Sequence, residues 1–202
     1  RAAAMIHGIL DQIEPAVSDD EDDEGVEVRF AFQQHSGPSP ESCSTLILCG
    51  PGAASAYALG ALSLAEVAWT MDASMDTAAR VFPPPPRTPR FYTAGAGKRA
   101  AVALLDGPVP ANFAVAWAEE LLRAFEAASE VIVLDRVFRA GWRASCGAER
   151  PQEPHLCGLW TSLWGAAGPE NVARLPAPNI VDALPAALLT RCEASRKRCL
   201  LG

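Results

Sequence analysis

The chain has 202 residues, enough for one domain of ordinary size or for one domain and a tail. Half of its residues are hydrophobic, so a sizeable core can form. Seventeen lysines and arginines against 24 aspartates and glutamates give a formal charge of −7. Binding to phosphates needs a concentrated positive field, so this balance argues against nucleic acid as the main partner. It fits a basic protein partner or simple solubility.

The six cysteines, at positions 43, 49, 146, 157, 192 and 199, form no C-x-x-C pair. Their spacing argues against a zinc ribbon or a thioredoxin-like motif, and we expect no metal and no cofactor. A chain of this size and apolarity needs no disulfide framework, so we expect reduced thiols in the cytoplasm or the nucleus.

Targeting signals are weak at the amino terminus. The apolar run 2–10 is followed at once by Asp11 and by Glu14, which argues against a signal peptide. No run approaches the roughly 18 apolar residues that span a membrane, so we expect no membrane partner. The first residue is Arg1, and we expect the natural start of the chain to lie upstream of it.

An acidic run separates an amino-terminal arm from the rest of the chain. Residues 19–24 are six consecutive carboxylates, which repel one another and cannot be buried. We expect residues 1–25 to form an acidic, disordered arm and residues 26–202 a single α/β domain, incomplete at its carboxyl end. A strand is predicted at 27–32, where larger apolar residues alternate with others.

From residue 45 onward, predicted strands alternate with predicted helices. Short apolar runs bounded by turn residues predict strands at 45–49, 100–105, 131–134 and 199–201. Three helices are predicted, over 53–69, 113–128 and 180–192. The last of them is expected to begin near Leu184 or Pro185, because proline is tolerated in a first helical turn.

Two segments between these elements show no regular pattern. Four prolines at 83–86 predict an extended connection over 81–89. Residues 139–173 hold three tryptophans among Gly, Pro and Ser, and we interpret them as a long, partly ordered loop. The alternation elsewhere predicts an α/β fold, a layered sheet with mostly parallel strands.

Gly50-Pro51-Gly52 follows a predicted strand and opens a predicted helix, which is the position of a phosphate-binding loop. The G-x-G-x-x-G pattern is incomplete because Ser55 occupies the third glycine position, and no Gly-Lys-Ser/Thr follows. A tight turn that needs small residues explains the pattern better than an anion at this helix terminus.

Candidate catalytic side chains are few. Asp106 and Asp135 each follow a predicted strand, where α/β enzymes keep working groups, but solvated strand-end residues are the commoner case. His7, His35 and His155 lie far apart in the sequence, and no G-x-S-x-G motif supports a catalytic site. We therefore expect no catalytic residue.

Two further groups have an ordinary and a functional interpretation. Trp160 and Trp164 are four residues apart and would share one face if their segment were helical. Core packing is the default for them, whereas an exposed pair would indicate a partner interface. The basic residues 196–198 fit a solvated surface better than a contact with an acidic partner.

The most informative stretch comprises Pro178, Asn179, Ile180, Val181, Leu184, Pro185, Ala186 and Ala187, followed by Leu188, Leu189 and Cys192. It holds no nucleophile with a base, no paired carboxylates and no metal-ligand spacing. Its two prolines restrict the backbone, and its alanines allow a helix to approach a sheet closely. Such a stretch shapes a core or a dimer interface more readily than it contacts a substrate, although direct contact with a partner stays open.

In its order of Pro, Asn, Leu and Pro, this stretch resembles the corresponding segment of the proteasome assembly chaperone 1 family. The acidic run and the elements at 45–64 and 113–134 come in the family's order. The resemblance implies an α/β fold of nucleoside-phosphorylase-like architecture without enzymatic activity. It also implies a heterodimer with a second proteasome assembly chaperone, which holds proteasome α-subunits while they form a seven-membered ring.

The chain departs from the family where it stops at Gly202. The family continues through more strands and helices to a carboxyl-terminal tail that docks between α-subunits, and no hydrophobic-Tyr-X ending is present here. Tail docking therefore cannot be assigned to these residues. The alternatives to a chaperone are an α/β enzyme acting on a nucleoside or nucleotide through Gly50–Gly52 and Asp135, and a degenerate relative kept as a scaffold.

Overall fold

The computed structural model describes residues 28–75, 88–95, 97, 99–135, 156–176, 181 and 183–202. The predicted acidic arm lies outside the described residues, as do most of the proline connection 81–89 and the first part of the predicted loop 139–173.

Nine strands and three α-helices make up the described part of the chain. The strands are β1 (Val28–Gln34), β2 (Thr45–Cys49), β3 (Val67–Met75), β4 (Arg90–Ala94), β5 (Ala100–Leu104), β6 (Glu130–Leu134), β7 (Cys157–Trp160), β8 (Ala173–Arg174) and β9 (Arg198–Leu201). The helices are α1 (Ala53–Ala61), α2 (Ala111–Ala124) and α3 (Ala183–Ala194). Single 3-10 turns span Pro40–Ser42 and Ser162–Trp164. None of the described helices has the length and apolar character of a membrane-spanning helix.

The strands form one sheet in the order β1-β3-β4-β5-β2-β6-β9-β7-β8. Its centre is parallel, since β2 pairs with β5 and β6, and β6 pairs with β9. Antiparallel pairs flank this centre, through β1, β3 and β4 on one side and β7 on the other. The predicted α/β class with a layered sheet is confirmed, and the parallel strands occupy its middle.

The sheet is covered by helices on both faces because side chains alternate along each central strand. In β2, Leu46 and Leu48 belong to the main core, which also takes in α2 and α3. Ile47 and Cys49 belong to a smaller apolar cluster on the other face, beneath α1. The two faces are therefore unequal, with two helices on one and a single short helix on the other.

The helices α2 and α3 bury stripes of apolar residues at helical spacing. The stripe of α2 consists of Phe113, Ala114, Trp117, Ala118 and Leu121. The stripe of α3 consists of Leu184, Leu188 and Cys192. The two helices pack against each other, and an ion pair between Arg191 and Glu119 joins their outer sides.

An aromatic cluster fills the core at the carboxyl end of α2. Phe125, the residue that ends this helix, meets Phe32 and Trp69 edge-on at centroid distances of 5.7 and 5.6 Å. It also stacks on Phe91 at 5.7 Å. These partners belong to β1, β3 and β4, so Phe125 ties α2 to the antiparallel side of the sheet.

Lys197 forms hydrogen bonds with backbone carbonyls at the same end of α2. Its ammonium group, located between α3 and β9, donates hydrogen bonds to the carbonyl oxygens of Phe125 (3.4 Å), Glu126 and Ala128 (2.8 Å). Carbonyls at a helix carboxyl end lack partners within the helix, and a cation satisfies them and their negative partial charge.

One predicted helix is shorter than expected. The helix over 53–69 ends at Ala61, and β3 begins at Val67, so that Trp69 lies in a strand. The run of Ala and Leu favours a helix locally, but β3 gains hydrogen bonds on both edges from β1 and β4. Pairing of this kind overrides local propensity.

The interpretation of 139–173 as a loop was wrong for its described part. Residues 157–160 form β7, which pairs with β9, and β8 follows at 173–174. Gly158 allows this pairing, because β7 and β9 approach too closely for a larger residue. The strand β4 at 90–94 was not predicted at all.

We predict that Gly158→Ala destabilises the fold. A Cβ atom at this position would overlap the carbonyl oxygen of Leu201 and lie 3.2 Å from Val172. Because a backbone atom cannot move aside cheaply, the free energy of unfolding should fall by about 3 kcal/mol, measured by urea denaturation. The matched control is Gly60→Ala, where the added methyl group meets nothing within 4 Å. This control should be neutral or stabilising by about 0.5 kcal/mol, and equal losses in both variants would contradict the explanation.

We also predict that Lys197→Met lowers the free energy of unfolding by about 2 kcal/mol, because the carbonyls at the end of α2 lose a charged donor. The control is Arg196→Met, which removes an exposed neighbouring charge and should change the same quantity by less than about 0.5 kcal/mol in urea denaturation. A loss of the same size in Arg196→Met would show that general charge, and not the three hydrogen bonds, is responsible.

Candidate functional site

The carboxyl ends of the central strands bring the residues weighed for the alternative, an enzyme, to one edge of the sheet. Gly50 follows β2, and Asp106 and Asp135 lie beyond the ends of the two strands that flank it. The sequence placed all three correctly, since parallel strands end at the same edge. This is the region where an α/β enzyme would bind its substrate.

At the glycine turn, the Gly50 amide and the Ser55 hydroxyl form hydrogen bonds to the protein backbone. The Gly50 amide donates to the Leu134 carbonyl at 2.7 Å. The Ser55 hydroxyl donates to the Gly50 carbonyl at 2.9 Å. Gly52 has φ +93°, which favours glycine, and a Cβ atom on Gly50 would lie 2.6 Å from Asp135 Oδ1. This geometry matches the tight-turn interpretation of Gly50–Gly52.

The carboxylates at this edge lie at the surface. Asp106 is exposed and faces Arg90 Nη2 at 3.9 Å, a separation that contributes little in solvent. Asp135 is also exposed, and its backbone amide donates to the Gly202 carbonyl at 2.8 Å. Neither side chain shows the burial that tunes a catalytic carboxylate.

His35 lies at the opposite edge of the sheet. It follows β1, which runs antiparallel to β3, and its Nε2 lies 2.8 Å from Thr70 Oγ1. Three antiparallel pairings from β1 to β5 reverse the direction, so β1 ends where the parallel strands begin. His35 is the only histidine in the described residues, and it does not approach Asp106 or Asp135. In that same part of the chain no three His, Cys, Asp or Glu side chains are grouped to hold a metal ion.

Comparison with known proteins gives matches in structure only. No protein-family model and no curated protein matches the sequence. Pyrococcus furiosus PbaA, an archaeal homolog of proteasome-assembly chaperone, matches with a TM-score of 0.57 and 20% identity, over 86% of this chain and 71% of the PbaA chain. Pyrococcus furiosus PbaB, an archaeal proteasome activator, matches with a TM-score of 0.57 and 13% identity, over 85% and 78%. This chain has the fold of PbaA and PbaB.

The family-like stretch is partly described. Pro178, Asn179 and Ile180 lie outside the described residues. The remaining motif residues are Val181, which precedes α3, and Leu184, Pro185, Ala186 and Ala187, which form its first turns. Pro185 is thus in the first turn, where its missing amide leaves no bond unmade.

The first turns of α3 point their apolar side at the core. Leu184 is 2% exposed, and Val181 and Ala187 pack against the main core. Pro185 and Ala186 are half-buried. Among the described motif residues, Leu184 is buried and the other four are partly buried, so both a role in the core and contact with a partner stay open.

A helix face without charge was missed by the sequence analysis. Residues 51–65 contain no charged side chain, and in α1 only Ala58 is fully buried. Tyr57 and Leu59 are 60% and 62% exposed. We call the exposed residues of α1, at positions 53, 56, 57 and 59–61, the α1 face. A solvent-facing helix normally has charged residues on its outer side. The absence of charge from residues 51–65 could therefore have indicated this surface from the sequence alone.

The two tryptophans do not share a helix face. Trp160 ends β7 and donates from Nε1 to the Gly165 carbonyl at 3.1 Å, with the Arg174 guanidinium 5.7 Å from its ring. Trp164 lies in a 3-10 turn, with Arg198 at 5.3 Å. Both rings are half-buried and covered by arginines, so they do not form an exposed pair.

We predict that Leu184→Ala lowers the free energy of unfolding by about 3 kcal/mol, because the truncation leaves a cavity between α3 and the core. Leu59→Ala makes the same chemical change on the α1 face and should cost less than about 0.5 kcal/mol. Urea denaturation of both variants measures the difference. A small loss in Leu184→Ala would mean that this motif residue serves a partner and not the core.

Proposed function

We propose that this protein is a proteasome assembly chaperone of the chaperone 1 type. As a heterodimer with a second proteasome assembly chaperone, it promotes formation of the α-ring of the 20S core particle. The observation that supports this most is the fold shared with PbaA and PbaB. The resemblance of residues 178–192 to the chaperone family points the same way independently of the fold comparison.

The proposed mechanism uses surfaces and no chemical step. The heterodimer holds proteasome α-subunits in ring order and prevents premature pairing of rings. Such a protein works in the cytoplasm or the nucleus, where proteasome subunits are available. The glycine turn gives no support to an enzyme acting on a nucleoside or nucleotide, because Gly50 and Ser55 already use their polar groups on the protein itself.

We assign the α1 face to the second chaperone. The chain has a formal charge of −7, yet residues 51–65 have none, so an uncharged surface lies within an acidic protein. Protein interfaces are depleted of charge at their centre and enriched in tyrosine. Tyr57 and Leu59, both mostly exposed, provide the apolar area that a permanent partner would bury.

The test is co-purification of the tagged full chain from cells of its source, followed by identification of bound proteins by mass spectrometry. We expect proteasome α-subunits and a second assembly chaperone to be recovered together. Recovery of neither, with turnover of a purine nucleoside by the purified chain, would reject the proposal in favour of the enzyme.

We further predict that Leu59→Arg reduces recovery of the second chaperone by about tenfold or more, because a buried charge opposes association. Leu163→Arg is the control, since Leu163 is also exposed, at 48%, but lies outside α1. Urea denaturation should show that both variants are folded. Equal recovery in the two variants would remove the α1 face from the interface while leaving the proposed function intact.

A further inference from the structure

The two ends of the sheet differ in how much backbone they leave open to another strand. At one end lies β8, which has only two residues and offers little backbone for pairing. At the other end lies β1, with seven residues, and in the described part of the chain it pairs along one edge only, with β3. A long strand edge invites another strand, and proteins commonly block such an edge with lysine, proline or a bulge.

None of these three devices is present in β1. Its sequence, Val-Arg-Phe-Ala-Phe-Gln-Gln, contains neither lysine nor proline. Its register with β3 continues without a bulge from Val28, opposite Met75, to Gln34, opposite Trp69. The strand therefore has the length and the regularity of one that accepts a second neighbour.

The hydrogen bonds of β1 show which of its backbone groups face outward. The His35 amide donates to the Ala68 carbonyl at 2.8 Å, and these two residues lie opposite each other when the register of β1 and β3 is continued by one residue. Residues of an antiparallel strand alternate between facing the partner strand and facing away from it. The backbone groups of residues 29, 31 and 33 therefore face β3, whereas those of residues 28, 30, 32 and 34 face the outer edge.

This alternation restricts how two copies of the edge could pair. In an antiparallel pair of identical strands, outward-facing residues must meet outward-facing residues, so the two-fold axis passes through a residue. The register that pairs all seven residues has its axis at Ala31, the smallest side chain of the strand. It places Phe30 opposite the second copy's Phe32, and Arg29, the one charged residue of β1, opposite the second copy's Gln33. No like charges meet in this register.

The side chains beside the edge are also compatible with a second copy. Phe30 and Phe32 pack against the main core but are only partly buried, so this pairing adds an aromatic contact across the junction. A groove of about 400 Å³ lies between β1 and α2, and its lining consists of Arg29, Phe30, Ala116, Glu119, Glu120 and Arg123. The two arginines and two glutamates balance in charge, although the whole chain carries −7, so two such grooves can face each other without net repulsion.

We propose that β1 pairs antiparallel with β1 of a second copy of this chain, about a two-fold axis at Ala31, so that the two sheets become one. Residues 28, 30, 32 and 34 of each copy form the hydrogen-bonded pairs, and each pair exchanges two bonds. A junction of one strand and one flanking helix from each copy is smaller than a standard protein interface. We therefore expect a dimer with a Kd on the order of 10 μM.

The inference does not depend on the proposed function. The α1 face stays accessible in this dimer, because α1 packs over β2, β4 and β5, and β3 separates these strands from β1. A partner on the α1 face and a second copy at β1 can therefore bind at the same time.

Sedimentation velocity of the purified full chain over a range of concentrations tests the dimer. We expect a species of twice 21.3 kDa that increases with concentration. Ala31→Lys should raise the Kd of the dimer about tenfold or more, because two ammonium groups would lie opposite each other at the axis. Ala31 is exposed, so urea denaturation should show that this variant is folded. The matched control is Ala173→Lys, the same change at an exposed position of β8, which should leave the dimer unchanged.

A charge exchange at the axis tests the register. Ala31→Glu should also be monomeric, whereas an equimolar mixture of Ala31→Lys and Ala31→Glu should form a mixed dimer, because opposite charges then meet. If Ala31→Glu fails to fold beside Asp72, its neighbour on β3, the lysine variant and its control decide the matter.

Three results would overturn the proposal. An unaltered chain that stays monomeric up to about 100 μM would leave this edge to a different partner. Equal dimerisation of Ala31→Lys and Ala173→Lys would place the contact elsewhere on the molecule. A mixture of folded lysine and glutamate variants that stays monomeric would reject the axis at Ala31.

Discussion

The carboxyl end of α2 is the point on which the architecture depends, because both sides of the sheet are attached to it. Phe125 contacts aromatic rings from β1, β3 and β4, the antiparallel side. Lys197, from the turn before β9, donates to the carbonyls of Phe125, at the end of α2, and of Ala128, in the turn that follows it. One helix end thus combines apolar burial with charge-assisted hydrogen bonds, and it fixes elements that are distant in the sequence relative to each other.

Much of the central sheet could be predicted from the sequence. The strands β2, β5, β6 and β9 are short apolar runs between turn residues, and this local pattern is sufficient because both of their faces are buried. The strands β3, β4 and β7 were missed. Polar residues or a glycine interrupt each of them, so none is a continuous apolar run, and pairing with neighbouring strands decides their structure.

In the candidate site, too, some features could be predicted from the sequence and others could not. The positions of Asp106 and Asp135 at one sheet edge follow from parallel topology alone, and the structure agrees. Another feature needs the fold to become visible. The exposure of Tyr57 and Leu59 depends on what covers the face of the sheet beneath α1.

The position of β9 has a consequence for synthesis on the ribosome. Residues 198–201 follow both β6 and β7 in the sequence, yet in the sheet they lie between these two strands. Until they emerge, β6 presents an open edge of unpaired amides and carbonyls, and β7 cannot pair with β9. The nascent chain therefore passes through a stage at which a foreign strand could insert at β6, and it is protected from this once β9 fills the gap.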